Sequence, residues 1–446
     1  MKAIIALAFL ILSSFNKVST INAQQTYLEH ATIIDVINNN ILEDQVLEIS
    51  SEGLITNISK WQSNEKDNKN KYIDLSGKYI LPGLIDGHIH LFRPQNREEI
   101  LEALLNSGIT SVRDMGGDAR VYQKIKRSLD NQEIEGPDLY YSANIFGPTF
   151  LRDPRTKFAA RGYEAGQAPW MRVIHDASNL EEIVVQAKKE GVTGLKVYSN
   201  VSPELLTKLC GVAKSHGLQI WSHASIFPSK PSDAAKAGVA ALSHAIGMIF
   251  ENHPDIPDSY LDAIQKQVVL QDFENTDEKS QVFLDLYESM RESGTIFEPT
   301  LSAWAIRAPS GNNSPGEAQK GSPTVHLSKV ARQLDIKSMV DWSKRITKAA
   351  FENGVLIAAG TDFSKEIKWI QNEMKLLKSC GLSNIEVIKS ATINNAKVIG
   401  IEKETGSIEI GKRADLLILN ANPLEDIDHI EDVFWVFKNG RHINNK

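Results

Sequence analysis

The stretch Leu81–Phe92, LPGLIDGHIHLF, sets two histidines at the end of an apolar run. Strand side chains alternate, so His88 and His90 point to one face and Ile89 to the other. A strand this apolar has little use for two imidazoles on a buried face unless that face is functional. In a closed barrel it is the interior, near the C-terminal rim of the strands.

Seven further runs have the same texture: TSVRDMG (110–116), LYYSANIFG (139–147), GLKVYSN (194–200), LQIWSHAS (218–225), ALSHAIG (241–247), TIFEPTLS (295–302) and LIAAGTDF (356–363). Helical patterns separate most of them, around 97–108, 178–190, 203–217, 276–294, 326–353 and 369–380. Eight strands alternating with helices over roughly 250 residues or more make an α/β protein with a (β/α)8 TIM barrel. A doubly wound open sheet is the rival. It would carry a Gly-rich phosphate loop after its first strand, and GDARV after RDMG is not one.

The two ends of the chain differ from this middle. Residues 25–80 and the C-terminal runs GSIEIGKRADLLILN and DVFWVFKNGRHI are short alternating strands broken by Asn, Ser and Gly. Chain ends often lie close together, so both ends are expected to form one small β-sandwich domain, 24–80 plus 405–446, beside a barrel over 81–404. Residues 1–23 have the pattern of a cleaved signal peptide: Lys2, an apolar segment AIIALAFLILSSF too short to span a bilayer, and the small residue Ala23. The expectation is a secreted or periplasmic protein with no stable membrane insertion after cleavage. With 446 residues and 42% hydrophobic content the chain can bury a large core. A net charge of -7 without a basic block argues against a nucleic-acid partner. Cys210 and Cys380 sit in apolar helical patterns and are expected as buried free thiols.

The ionisable residues of the barrel strands form a set. His88 and His90 end the first strand, Lys196 lies in the fourth, His223 in the fifth, His244 in the sixth, and Asp362 ends the eighth. Any one of them alone is more often a satisfied structural residue. Six in one repeating pattern point together to a centre for zinc-like divalent metals. Lys196 leaves three readings open: an ion pair within the barrel, an amine nucleophile, or a carboxylated lysine bridging two metals about 3.5–4 Å apart. Two long segments follow barrel strands, 148–175 and 302–325, on the face where barrel active sites are built. The first carries four arginines, and Arg152, Arg155 and Arg161 are candidates for a substrate carboxylate. Tyr198, on the same strand face as Lys196, is a candidate for an oxyanion or substrate contact. Arg113 and Asp114 are expected in an internal ion-pair or hydrogen-bond network.

LPGLIDGHIH, GITSVRDMGG, Lys196, His223, His244, AAGTDF and the tail SATINNAKVIGIEKETGSIEIGKRADLLILNANPLEDI together resemble the amidohydrolase superfamily, in its imidazolonepropionase-like and prolidase-like branch. The resemblance covers nearly all of the chain after residue 23. It implies a distorted barrel with a β-sandwich from both termini, and two divalent metals, zinc by the chemistry of the donors. It implies His88, His90 and Asp362 on the more buried metal, His223 and His244 on the other, and an N6-carboxylated Lys196 bridging them. The implied reaction is hydrolysis of an amide or cyclic amide C–N bond of a small-molecule substrate, dipeptidase-like activity included, by a metal-bridging hydroxide, with Asp362 as proton shuttle. Lactone or ester hydrolysis on the same centre, or a non-catalytic binding protein on the same fold, are the alternatives. Oligomeric state stays open, a homo-oligomer included. Two departures stand out: the N-terminal β segment lacks the usual Gly-rich hairpin, and Gln371 stands where many relatives have a His before the Glu of the eighth helix.

Overall fold

The computed structural model describes residues 24–63, 65–91, 96–252, 273–305, 336–362 and 369–443. The segment 1–23 and residues 306–325 of the second long connection lie outside them.

Five strands open the described chain: β1 (Thr26–Asp35), β2 (Asn40–Ile49), β3 (Ile55–Lys60), β4 (Lys71–Asp74) and β5 (Tyr79–Pro82). The barrel strands follow: β6 (Leu84–Ile89), β7 (Ile109–Asp114), β8 (Asp138–Phe146), β9 (Met171–Val173), β10 (Gly194–Val197), β11 (Gln219–His223), β12 (Ala241–Ser243) and β13 (Ile296–Glu298). Three more close the chain: β14 (Leu416–Leu419), β15 (Val433–Lys438) and β16 (Arg441–Ile443).

The barrel strands pair in parallel in the order β13-β12-β11-β10-β8-β7-β6, with β9 added to β8. Every residue of β6, β7 and β10 is buried, as expected of parallel strands covered on both faces. Helices between them start where the sequence supplies caps. Asn179 accepts from the Glu182 amide, and Ser202 accepts from the Leu205 amide ahead of Pro203. The eighth stave is the run Leu356–Asp362. It holds β13 through Phe297 N to Leu356 O (2.9 Å) and Ala358 N to Phe297 O (2.8 Å). It holds β6 through Gly87 N to Ala359 O (3.1 Å) and Asp362 N to His88 O (2.7 Å), which closes the cylinder. Long-range pairing of the two ends of the barrel replaces a regular ladder here.

The terminal strands form one mixed sheet, ordered β16-β15-β14-β5-β1-β2-β3, with β4 on β1. Its alternating residues serve two cores. Ile33, Ile80, Leu416 and Ile418 join a cluster with Leu28, Leu47 and Phe437. Their neighbours Ile34, Leu81, Leu417 and Leu419 pack into the barrel core. This is why LLIL is apolar throughout although its side chains alternate. Cys210 and Cys380 are buried free thiols. Among the described residues, no helix is long and apolar enough to cross a membrane.

The segment after β8, expected as a long loop, folds locally. A 3-10 turn (Pro148–Arg152) and a short helix (Pro154–Ala159) precede β9. At the opposite end of β8, Asp138 ties barrel to sheet. It meets Lys438 Nζ at 2.9 Å and Arg413 Nη1 at 2.9 Å, and both cations also reach the buried Asp415. Asp138→Ala leaves those cations short of a partner and should cost about 3 kcal/mol of unfolding free energy in guanidinium titration; no measurable loss would show that the cluster is dispensable.

Candidate metal centre

The barrel brings the six expected side chains to its C-terminal mouth. Asp362 is the junction. Its Oδ1 lies 3.1 Å from His90 Nε2 and 3.5 Å from His88 Nε2, and its Oδ2 lies 3.8 Å from His244 Nδ1. Donor atoms of His88, His244 and Asp362 all fall within 4.8 Å of one another. His223 joins through its ring, 4.7 Å from that of His244. Lys196 is fully buried below them, and its Nζ donates to Ser243 Oγ at 2.9 Å.

Do these residues fit a metal? Zinc binds His nitrogen and carboxylate oxygen at about 2.0–2.2 Å, so tetrahedral neighbours stand about 3.3 Å apart. The separations of 3.1, 3.5 and 3.8 Å bracket that value. The charge states suit it as well. Burial holds the His88 imidazole down to about 4 and that of His244 down to about 3, so both are neutral and each has a lone pair to offer. Burial would raise the Asp362 carboxyl, but His244, His90 and His88 keep it well below its usual range, as an anion. Burial lowers the Lys196 ammonium to about 7, against the pull of Glu298.

Local backbone aims these groups. His244 and Thr300, just past their barrel strands, and Asp362, at the end of the eighth stave, have left-handed φ, at 76°, 50° and 53°. That conformation is uncommon for such residues and clusters at functional sites. It is fixed here by contacts: His244 Nδ1 lies 2.9 Å from Thr300 Oγ1. The turn after Thr300 is held by the buried Glu373, which accepts from Leu301 N at 2.9 Å and Ser302 N at 2.7 Å. Asp86 of the IDGH run accepts from Thr361 Oγ1 (2.8 Å) and from the Thr361 amide (3.2 Å), stitching the first strand to the eighth.

One central residue was not among the sequence candidates. Glu298 ends β13, fully buried, and contacts His88 Nδ1 (2.7 Å), Ser243 Oγ (2.7 Å) and Arg113 Nη2 (2.5 Å). Burial would raise its carboxyl, but Arg113, His88 and Lys196 hold it at about 2. The signal was present: a lone charge in the apolar run TIFEP, the same kind of signal that marked Lys196. Glycine makes room for it. A Cβ on Gly87 would meet Glu298 Oε1 at 2.8 Å, and one on Gly360 would meet it at 3.0 Å and His88 Cβ at 2.7 Å. Arg113 and Asp114 form an internal network: Arg113 also bonds Gly87 O, while Asp114 accepts from the amides of Leu91 and Gly116.

The expected substrate contacts fare differently. The Tyr198 hydroxyl donates to Met115 O at 2.6 Å, so its proton is not directed to an oxyanion. Its ring stands edge-on to His223 at 4.9 Å and stacks on Phe150 at 6.0 Å, making a wall of the mouth. Arg152 and Arg161 are exposed, and the Arg155 side chain lies outside the described ones. Gln371 is buried and donates to Ser107 O at 3.1 Å, which makes it a packing residue.

The sequence pattern of the amidohydrolase family matches residues 79–443. The chain belongs to the amidohydrolase family. Among similar family proteins, "Probable imidazolonepropionase" of Bos taurus is 23% identical over 431 residues, covering 91% of this chain and 92% of that one. Among solved structures, a Xaa-Pro dipeptidase with bound methionine superposes with a TM-score of 0.74 at 23% identity, over 95% of this chain and 100% of that one. The Aspergillus niger ochratoxinase gives a TM-score of 0.70 at 20% identity, over 94% and 96%. At these identities the structures share the fold of this amidohydrolase.

The two depressed histidines make a pH prediction. Between pH 6.5 and about 4 the unfolded chain protonates both imidazoles and the folded chain does not, so each lowers stability as pH falls. The slope is about 1.4 kcal/mol per pH unit per histidine. Buried Asp86, Asp114 and Glu373, raised to about 7, 6 and 7 chiefly by burial, act in the opposite sense, so the comparison must be with a variant. In metal-free protein, the stability of His244→Gln relative to wild type should rise by about that slope as pH drops through this window, in urea titrations. A pH-independent difference would mean that His244 titrates normally.

Proposed function

We propose that this amidohydrolase is a metal-dependent hydrolase of amide or cyclic amide C–N bonds in small molecules, dipeptide-like compounds included. The observation that carries it is the Asp362 carboxylate, held between His88 and His90 on one side and His244 on the other. Relatives named for imidazolone propionate, Xaa-Pro dipeptides and ochratoxin support a small-molecule substrate. In this reading His88, His90, His223, His244, Asp362 and a carboxylated Lys196 hold two zinc ions. Divalent ions there would supply Lewis acidity, acidifying water and polarising the scissile carbonyl.

The chain's own groups do the rest. Asp362, kept ionised, accepts the proton of the attacking water and returns it to the leaving nitrogen. Tyr198 and Phe150 wall one side of the mouth and orient the substrate by contact. Burial lowers the Lys196 ammonium to about 7, so near neutral pH a large share is the free amine, the form that adds CO2. Export belongs to the same proposal and rests on residues 1–23; N-terminal sequencing of protein from the periplasm or medium should begin near Gln24.

The metal-loaded protein should contain about two equivalents of zinc. It should turn over at least one class in a panel of dipeptides, N-acyl amino acids, hydantoin-like rings and lactones. Asp362→Asn should lower kcat by about 10²–10⁴-fold. Turnover that survives full chelation, or confinement of all activity to lactones, would sink the C–N reading. Lys196→Ala should lose metal and activity together, with partial recovery from short carboxylic acids plus zinc. Full metal occupancy in that variant would exclude a bridging carbamate.

A further inference from the structure

We propose that Glu298 is the positioning residue of this centre: it fixes the tautomer of His88 and the direction of the Lys196 amine. The inference deepens the metal-centre reading above, but its starting point is hydrogen-bond bookkeeping within the chain. An ionised carboxylate only accepts. Arg113 donates to Oε1, and Oε2 faces both His88 Nδ1 and Ser243 Oγ at 2.7 Å. Both partners at Oε2 must therefore be donors.

Two consequences follow. His88 carries its proton on Nδ1, so Nε2 presents a lone pair. That lone pair lies 3.5 Å from the Asp362 carboxylate, another acceptor. Two acceptors facing each other repel unless a cation stands between them, so Glu298 makes the gap between His88 and Asp362 a cation site. Ser243 spends its only proton on Glu298, so its oxygen must accept, and it accepts from Lys196 Nζ at 2.9 Å. One N–H of the lysine is thereby directed at Ser243. A carboxylated lysine keeps a single N–H, and that N–H would stay on Ser243 with the new carboxylate turned away from Glu298. The absence of side chains at Gly87 and Gly360 lets the carboxylate reach all three partners.

Glu298→Gln tests this with little change of shape. A carboxamide has one accepting oxygen and one donating NH2. The charged Arg113 should take the oxygen, which turns NH2 toward His88 and forces the proton onto Nε2. Long-range ¹⁵N NMR on metal-free, histidine-labelled protein reads the tautomer directly, with the His88 signal assigned by its loss in His88→Asn. Wild type should show His88 as the Nδ1–H form. Glu298→Gln should show the Nε2–H form and bind zinc about 10–100-fold more weakly. The double variant Arg113→Met/Glu298→Gln frees the amide to turn its oxygen back and should recover the Nδ1–H form, a rescue that loss of packing alone would not give. His88 as Nε2–H in wild type overturns the proposal, even if neither variant folds. So does Glu298→Gln with unchanged tautomer and zinc affinity. The Nδ1–H form in a protein that takes up no zinc and turns over nothing would defeat the proposed function and the cation site, and leave standing only that Glu298 sets the His88 tautomer and the Lys196 amine.

Discussion

Barrel closure is the constraint on which the rest of this molecule depends. Two backbone hydrogen bonds, Gly87 N to Ala359 O and Asp362 N to His88 O, join the first stave to the eighth. They bring His90 and Asp362, 272 residues apart in sequence, to 3.1 Å. The Asp86–Thr361 contacts reinforce the same seam. Because parallel strands all end at one rim, closing the cylinder also delivers Lys196, His223 and His244 to that mouth without further device. Left-handed backbone at His244, Thr300 and Asp362 then turns the chain just past the strands, and the Glu373 carboxylate stabilises one of those turns.

The closed barrel encloses charge rather than oil. Glu298, Arg113 and Lys196 are all fully buried, and each is paired or hydrogen-bonded, the only condition under which such burial is tolerable. The same desolvation that makes these groups costly keeps His88 and His244 neutral near physiological pH. Ionised carboxylates facing neutral imidazoles are a donor set ready for a divalent cation. Fold stability and site chemistry are therefore not separable here: a side chain at Gly87 or Gly360 would disturb the carboxylate that braces His88.

Much of this was legible in the sequence. Alternation placed His88 and His90 on one face, and repeated β/α punctuation counted eight staves. Lone ionisable residues in apolar runs marked four further positions of the mouth, Lys196, His223, His244 and Asp362. Glu298 shows the same mark, in TIFEP, but its role depends on Arg113, Ser243 and His88, which lie on three other strands. The Tyr198 ring stands beside His223, and sequence could not show that Met115 O takes its hydroxyl proton. The run LLIL was recognisable as a strand, while its division between two cores needed the contact of sheet and barrel. The local turn and helix after β8 were missed because a six-residue helix carries too little periodicity to stand out from a loop.

The sequence by itself determined the architecture and the donor inventory, because strand period, turn residues and lone buried charges are local properties written in consecutive residues. Only the tertiary structure decided which donors meet, which proton each must hold, and which residue braces them. Those depend on distances between separate strands and on the desolvation that a closed interior imposes, and neither has a representation along the chain.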